Sequence, residues 1–389
     1  MFSFIEKIYL LISVWSAFSI FWANIGYPLS ILILGKFIKK ENKKLENYFP
    51  SVTIMVVAHN EEKVIEKKLQ NLLSLDYPKQ RLQILVTSDH SDDNTNSIVT
   101  EYSCQYDNIR LHKTKERKGK INAQNEGARL VESEFLVMTD ANAILSKSAI
   151  REIVSSFSSD DIAYVAGRLS YTNFDEQLTS FSENTYWDIE TIVRNIESNI
   201  QTITAGNGAL YAIRTKDYHD FDLIQSHDSA MPLYFSLHNK RAISNMEAIA
   251  YEKAGENDAD EFKRKVRMAR LVWQAILPSF SILNIFKYKW FTYFYLGHRT
   301  ARYTLWLNHI LLFLTSILLM LKSSIFLALF IIQLLIYSIA IFSKLFNIKN
   351  KLVNFISYYC MTVLAQLIGV IKTIFRKNKP FWEKAESTR

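Results

Sequence analysis

The sequence predicts an α/β protein: a parallel sheet with helices on both faces forms a soluble middle, and apolar segments lie at either end. Three observations predict this. Short β-branched runs alternate with amphipathic segments from residue 51 onward, which is the signature of strand–helix–strand units. Charged residues concentrate between Lys36 and Arg270, so the apolar share of 49 % is unevenly spread along the 389 residues. Long apolar stretches lie outside that region, at residues 9–34, 304–321, 325–342 and 352–375.

Residues 9–34 are nearly uncharged and long enough to cross a hydrocarbon core of ~30 Å as a tilted helix. They lack a basic leader and a small-residue cleavage site, which argues against a removed signal peptide. The basic run at residues 36–44 then predicts a cytoplasmic middle domain, because cationic flanks favour that side.

Residues 52–58 (VTIMVVA) read as a buried strand. Residues 61–75 place Val64, Ile65, Leu69, Leu72 and Leu73 at helical spacing, and Asp76-Tyr77-Pro78 ends that helix. Strands are predicted at 82–86 and 135–139, with helices at 93–102 and 120–131. Further on come a strand near 162–171, a long helix near 175–198, a glycine-containing loop at 205–210, a helix after Asp228, a strand near 242–250 and a basic helix at 260–277. In such sheets ligands bind at the carboxyl ends of the strands. Polar clusters stand there: His59-Asn60-Glu61, Ser88-Asp89 and Asp140-Ala141-Asn142.

Residues 278–300 are aromatic and amphipathic, as expected of a helix in the membrane interface. The segments 304–321 and 325–342, separated by Lys322-Ser323-Ser324, read as a transmembrane hairpin. Segment 352–375 either crosses, is re-entrant or lies in the interface, ahead of a basic tail at 377–389. The domains are therefore 1–40, a first transmembrane helix; 50–277, the catalytic unit; 278–300, the interface segment; 301–376, the C-terminal membrane helices; and the tail. The net charge of +8 sits largely beside apolar segments, and no basic–aromatic run marks the middle domain. A lipid bilayer rather than nucleic acid is thus the expected partner. Cys104 and Cys360 have neither disulfide nor metal-thiolate spacing.

The string AHNEEKVIEKKLQNLLSLDYP at residues 58–78 resembles the opening of family 2 glycosyltransferases of the GT-A fold. SDHSDDNT (88–95), RKGKINAQNEG (117–127), TDAN (139–142), GNGALYAIR (206–214) and HDSAMPL (227–233) are similar to that family's later motifs, in the family's order. RKVRMAR (264–270) stands in the place of the QxxRW motif of polysaccharide synthases, with Arg264 for the glutamine and Met268 for the tryptophan. His90 stands where the family usually has glycine.

The resemblance implies a GT-A (Rossmann-like) domain that uses Mg²⁺ or Mn²⁺, held by Asp140 and Asn142. It implies a nucleotide-sugar site at Ala58, Asn60, Glu61, Asp89, Lys120, Asn125 and Arg267. An acceptor site follows at Gly206, Asn207, Gly208, Arg264 and Trp273, with Asp228 as general base in an inverting reaction. The expected reaction moves sugar from a nucleotide-diphosphate donor, UDP-linked, to a growing polysaccharide or a lipid-linked glycan. The expected setting is a bacterial-type plasma (inner) membrane, in capsule, exopolysaccharide or cell-envelope glycan synthesis. The opposing class is a non-catalytic membrane scaffold that kept the fold. Its mark would be loss of Asp140 or Asp228, and the sequence has both.

Overall fold

The computed structural model describes residues 3–38, 41–172, 178–253, 258–346, 348 and 350–375, without side-chain detail at 178–188, 258–260 and 273–274. The tail predicted at 377–389 lies outside the described residues.

The chain builds one eight-stranded sheet. Its strands are β1 (Val52–Ala58), β2 (Leu82–Ser88), β3 (Ile109–Lys113), β4 (Phe135–Asp140), β5 (Ile144–Leu145), β6 (Ile162–Tyr171), β7 (Leu210–Arg214) and β8 (Arg241–Glu252). Ahead of the sheet lie α1 (Phe4–Phe21) and α2 (Tyr27–Phe37). Between the strands come α3 (Ile65–Leu73), α4 (Thr95–Gln105), α5 (Lys120–Ala128), α6 (Ala149–Ser155), α7 (Leu178–Ile200) and α8 (His227–Leu237). After β8 follow α9 (Asp258–Met268), α10 (Val272–Ile276), α11 (Ile285–Tyr288), α12 (Trp290–Phe294), α13 (Ala301–Tyr303), α14 (Leu305–Leu319), α15 (Ser324–Leu345) and α16 (Lys351–Ile374).

The strand order is β3-β2-β1-β4-β7-β6-β8-β5. Residues of β1 alternate between two cores: Ile54, Val56 and Ala58 join one, Met55 and Val57 the other. Burial on both faces is why the run VTIMVVA is apolar throughout. The sheet is mixed, and this corrects the parallel sheet read from the sequence. β7 runs antiparallel to both β4 and β6, with Leu210 opposite Thr139 and Arg214 opposite Phe135. The loop after α7 enters the sheet at the edge where β4 leaves it, so β7 can only run back. Alternation of strand and helix patterns does not encode that direction.

On the membrane side, α1 continues through a π-helical stretch at Trp22–Gly26 into α2. Among the described residues three helices are long and apolar enough to cross a membrane: Phe4–Phe37, Ser324–Leu345 and Lys351–Ile374. A bent pair, Trp290–Tyr303 with Leu305–Leu319, meets at 58° and makes a fourth if it is one span. α1 packs on α14, and Glu6 at its start pairs with Lys322 in the α14–α15 turn at 3.3 Å. α16 instead packs along the helices that follow β8: Tyr358 bonds Glu261 of α9, and Thr373 bonds the Arg270 carbonyl. A Cβ on Gly369 would lie 2.6 Å from Ala269 Cβ, so this contact needs glycine.

The candidate active site

The polar ends of β1 and β2 lock together before any ligand is considered. Asn60 takes a left-handed φ of 55°, donates its N–H to Ser91 Oγ at 3.1 Å, and accepts from the Asp92 N–H at 2.8 Å. The Glu61 N–H donates to Thr95 Oγ1 at 2.7 Å, and the Ala58 carbonyl accepts from the Asp89 N–H at 2.9 Å. His90 has φ 54°, the region in which glycine is the least strained residue. The turn is thus retained with a side chain in glycine's place.

The buried Asp89 carboxylate accepts two backbone N–H groups, from Lys118 at 3.2 Å and Gly119 at 2.9 Å. Gly119 has φ 93°, a conformation side chains rarely adopt, and it starts α5 with Lys120 as first residue. Asp89 therefore fixes the loop that aims Lys120. The Lys120 ammonium meets the Asp140 carboxylate at the end of β4. Gly208 borders the same point: a Cβ there would lie 3.4 Å from Asp140 Oδ2 and 3.8 Å from Lys120 Nζ.

Lys120, Asp140, Asn142, Gly206, Asn207, Gly208, Asp228, Arg264 and Arg267 all line one cavity of about 650 Å³. Asp228 is in the first turn of α8, beside Ser226, whose hydroxyl donates to its carboxylate. Its carbonyl accepts the Gly206 N–H at 2.7 Å, joining the two predicted acceptor-side segments. Gly206 has no room for a side chain, since a Cβ would come within 2.0 Å of Tyr164 Oη. Asn207 shapes the same loop, donating to the Gly167 carbonyl and accepting from the Ala209 and Leu210 N–H groups. His227 is buried with Nδ1 3.1 Å from Tyr211 Oη, and burial together with the Lys120 cation pushes its imidazole down to about 3.

Other predicted residues stand elsewhere. Asn125 is committed to the Phe221 carbonyl at 2.9 Å and the Tyr218 hydroxyl at 2.6 Å, and it is not among the cavity-lining residues. Ala58, Asn60, Glu61 and Asp89 form the locked loops rather than the cavity wall. The side chain of Trp273 lies outside the described residues. Arg264 forks onto Glu261, with 2.6 and 2.8 Å contacts to its two oxygens.

Three groups escaped sequence reasoning. Glu261 is almost wholly buried beneath Arg264 and Lys265. Glu190 accepts from Arg302 at 2.5 Å, His298 at 3.0 Å and Arg194 at 3.2 Å, all at the cavity wall. Burial alone pushes the Glu190 carboxyl up, and those cations overcome it and hold it well below the usual carboxylate range. Glu190, Arg194 and Glu197 at i, i+4 and i+7 are the sequence signal for one helix face. Lys68, wholly buried on α3, donates to Thr139 Oγ1 at 2.8 Å and to the Ala143 carbonyl, bracketing the Asp140–Asn142 turn from beneath.

A divalent cation fits this donor set. Asp140 offers a carboxylate and Asn142 an amide oxygen on one cavity wall, while no cluster of three or more His, Cys, Asp or Glu occurs among the described residues. Ions of the Mg²⁺ type are held by one or two protein oxygens, with phosphates and water completing the shell, rather than by an all-protein cage.

Residues 53–216 match the family model described as "Glycosyl transferase family 2". A probable glycosyltransferase of Bacillus subtilis is 35 % identical over 157 residues, 39 % of this chain and 36 % of that protein. A beta-monoglucosyldiacylglycerol synthase of Trichormus variabilis is 29 % identical over 163 residues, 41 % of this chain and 35 % of its own length. A poly-beta-1,6-N-acetyl-D-glucosamine synthase of Staphylococcus epidermidis is 23 % identical over 259 residues, 65 % of this chain and 60 % of its own. The chain thus spans about a third of the length of the first two and three-fifths of the third. Among solved structures, a mannosyltransferase from Pyrobaculum calidifontis in complex with GDP-Man and Mn²⁺ superposes with a TM-score of 0.68 at 19 % identity. That match covers 96 % of this chain and 99 % of the other, a likeness of fold.

Proposed function

We propose that this chain, whose residues 53–216 form a family 2 glycosyltransferase domain of the GT-A fold, transfers a sugar from a nucleotide-diphosphate donor to a glycan or lipid-linked acceptor at the membrane, with inversion. The observation that carries the reading is convergence: Lys120, the Asp140–Asn142 turn and Asp228 come from three separate segments and line one cavity.

The departing diphosphate carries dense negative charge that needs compensation in the transition state. Mg²⁺ or Mn²⁺, held by Asp140 and Asn142, supplies Lewis-acid neutralisation of that charge when bound. Lys120 already balances the Asp140 carboxylate, and its ammonium is placed to turn to phosphate oxygens. Arg267 lines the same cavity and adds positive charge from α9. Asp228 takes the proton from the attacking acceptor hydroxyl, and the Ser226 hydroxyl orients its carboxylate. Asp89 acts through the backbone of Lys118 and Gly119, keeping the Lys120 loop in place.

The membrane half of the reading places the catalytic domain in the cytoplasm of a multi-pass inner-membrane protein. The cationic run after the first helix supports it. The Glu6–Lys322 pair brings the start of α1 and the α14–α15 turn to one end of these helices, as a multi-pass arrangement requires.

The test uses the purified full chain in detergent with a panel of UDP- and GDP-sugars and Mn²⁺, and it measures released nucleotide and product. Asp228→Asn should abolish transfer while leaving donor binding intact. Full activity in that variant would sink the mechanism.

A further inference from the structure

A second cavity of about 810 Å³ lies between α14, α15 and α16, closed at one side by Phe262 of α9. Trp306, Phe313, Ala340, Ile341 and Leu364 are typical of its wall. Several polar groups beside it are spent on one another, whereas the Ser357 hydroxyl and the Trp306 indole N–H are buried without a partner among the described residues. His309 lies 2.9 Å from the Tyr337 hydroxyl through Nδ1 and 2.8 Å from the Tyr359 hydroxyl through Nε2. Gln333 donates to Tyr337 at 3.0 Å, and Asn24 donates to Tyr359 at 3.2 Å. What faces the cavity is therefore largely ring carbon and aliphatic carbon.

A sugar polymer threading such a space would leave its hydroxyls without partners, at the cost of every one that goes unpaired. Hydrocarbon has no such cost. The cavity also adjoins the catalytic one: Tyr359 and Val363 belong both to its wall and to that of the cavity holding Asp140 and Asp228, so these side chains are the partition between them. Ordinary lipid-facing surface on this protein looks different. The exposed Phe4, Leu11 and Trp15 of α1 stand on the outside of a helix with no route to the site. Trp306 adds a further observation, because its indole N–H is buried with no acceptor among the described residues, and an ester or head-group oxygen would satisfy it.

We propose that this apolar cavity seats the hydrocarbon chain of the acceptor, so that the acceptor is a membrane lipid whose head group passes Tyr359 to reach Asp228. This rests on the glycosyl-transfer reading and narrows it. Of the two acceptor types, growing polymer or lipid, the membrane-side cavity suits the lipid.

The experiment uses the full chain in nanodiscs of phosphatidylcholine, with chain-end diazirine probes and mass spectrometry of the labelled peptides. The probes are a diacylglycerol and an isoprenyl monophosphate, which separate a hydroxyl from a phosphate head group, with diazirine phosphatidylcholine as the bulk-lipid control. At least one acceptor-type probe should concentrate on 306–314, 337–345 and 357–367, while the control also labels α1. Ala340→Trp, which fills the space, should cut that labelling by about tenfold, the scale on which an overpacked contact weakens a fit. Leu364→Trp fills it from the opposite wall and covers the case in which the first variant does not fold.

The proposal is overturned if both acceptor-type probes distribute like phosphatidylcholine, or if folded Trp variants label as strongly as the parent. A ladder of long polysaccharide in the product analysis also overturns it. Absence of nucleotide release from every donor would instead remove the glycosyl-transfer reading, so the two failures are distinguishable.

Discussion

Lys68→Met is the perturbation whose size can be worked most directly from the structure. The Lys68 ammonium is wholly buried, and burial pushes it from 10.5 down to about 7, with partial compensation from Asp140 and Glu252. In the unfolded chain the same group titrates near its ordinary value. Between pH 7 and 10.5 the unfolded state therefore binds more protons, and stability rises with pH across that window. Below pH 7 both states are protonated and the slope vanishes. From pH 6 to 8.5 the parent should gain about 2 kcal/mol, since each pH unit above the folded value contributes roughly 1.4 kcal/mol.

Methionine has similar volume and no charge, so the variant loses this slope. It also loses the hydrogen bonds to Thr139 and Ala143, although Thr139 keeps its own donation to the Ala209 carbonyl at 2.7 Å. The loss is set against removal of a charge that is costly to bury, so Lys68→Met stays folded near pH 6. Thermal unfolding followed by tryptophan fluorescence at pH 6, 7, 8 and 8.5 measures the effect. For a domain of this size, 2 kcal/mol is about 4–8 °C, present in the parent and missing in the variant. Parallel pH curves for the two proteins would refute the reasoning. They would mean that the Lys68 ammonium is hydrated and titrates as it does in the unfolded chain.

Three other predictions concern backbone positions. His90→Gly should raise the melting temperature by the equivalent of roughly 0.5–1 kcal/mol, because a left-handed φ is relieved by more than the added chain entropy costs; calorimetry reads it, and a fall in melting temperature contradicts it. Gly206→Ala should destabilise by about 1–3 kcal/mol through its clash with Tyr164. Gly208→Ala, with only ordinary contacts near Asp140 and Lys120, should leave the melting temperature unchanged and raise the donor KM; equal melting temperatures for the two variants would contradict both.

The parts of the fold legible in the sequence are those in which local pattern and tertiary role coincide. β1, β2 and β4 are buried on both faces, so their apolar runs announce them, and the polar residues that follow fall at their carboxyl ends, where Asp140 and Asn142 line the cavity. β3 was not legible: its residues IRLHK include an exposed Arg110 and a half-buried His112, as suits a strand at the sheet edge. β5 has only two residues and exists because Tyr251 and Ala250 pair with it. Buried acids were the other gap. Glu190 and Glu261 read as surface charge in a linear sequence, and only the cations contributed by distant segments or by their own helix allow them to be buried.

Those buried acids bear on how the membrane helices take part in the chemistry. Both π-helical stretches, Trp22–Gly26 and Tyr295–Thr300, contribute residues to the cavity wall. Within them, Asn24 reaches the hydroxyl of Tyr359, His298 bridges Glu190 and Glu197, and Arg299 donates to Ser229, the neighbour of Asp228. Burying such groups costs several kcal/mol per ion before pairing, and apolar side chains of equal volume would hold these helices together at lower cost. Adhesion alone therefore does not account for the network. Its charge-assisted bonds fix angles as well as distances: the Tyr27 hydroxyl of α2 donates to Glu197 of α7, His298 meets Glu197 and Glu190, and the neighbouring Arg299 reaches Ser229 at the start of α8. The position of Asp228 is in this way tied to helices long and apolar enough to cross a membrane, which suits the lipid acceptor proposed above.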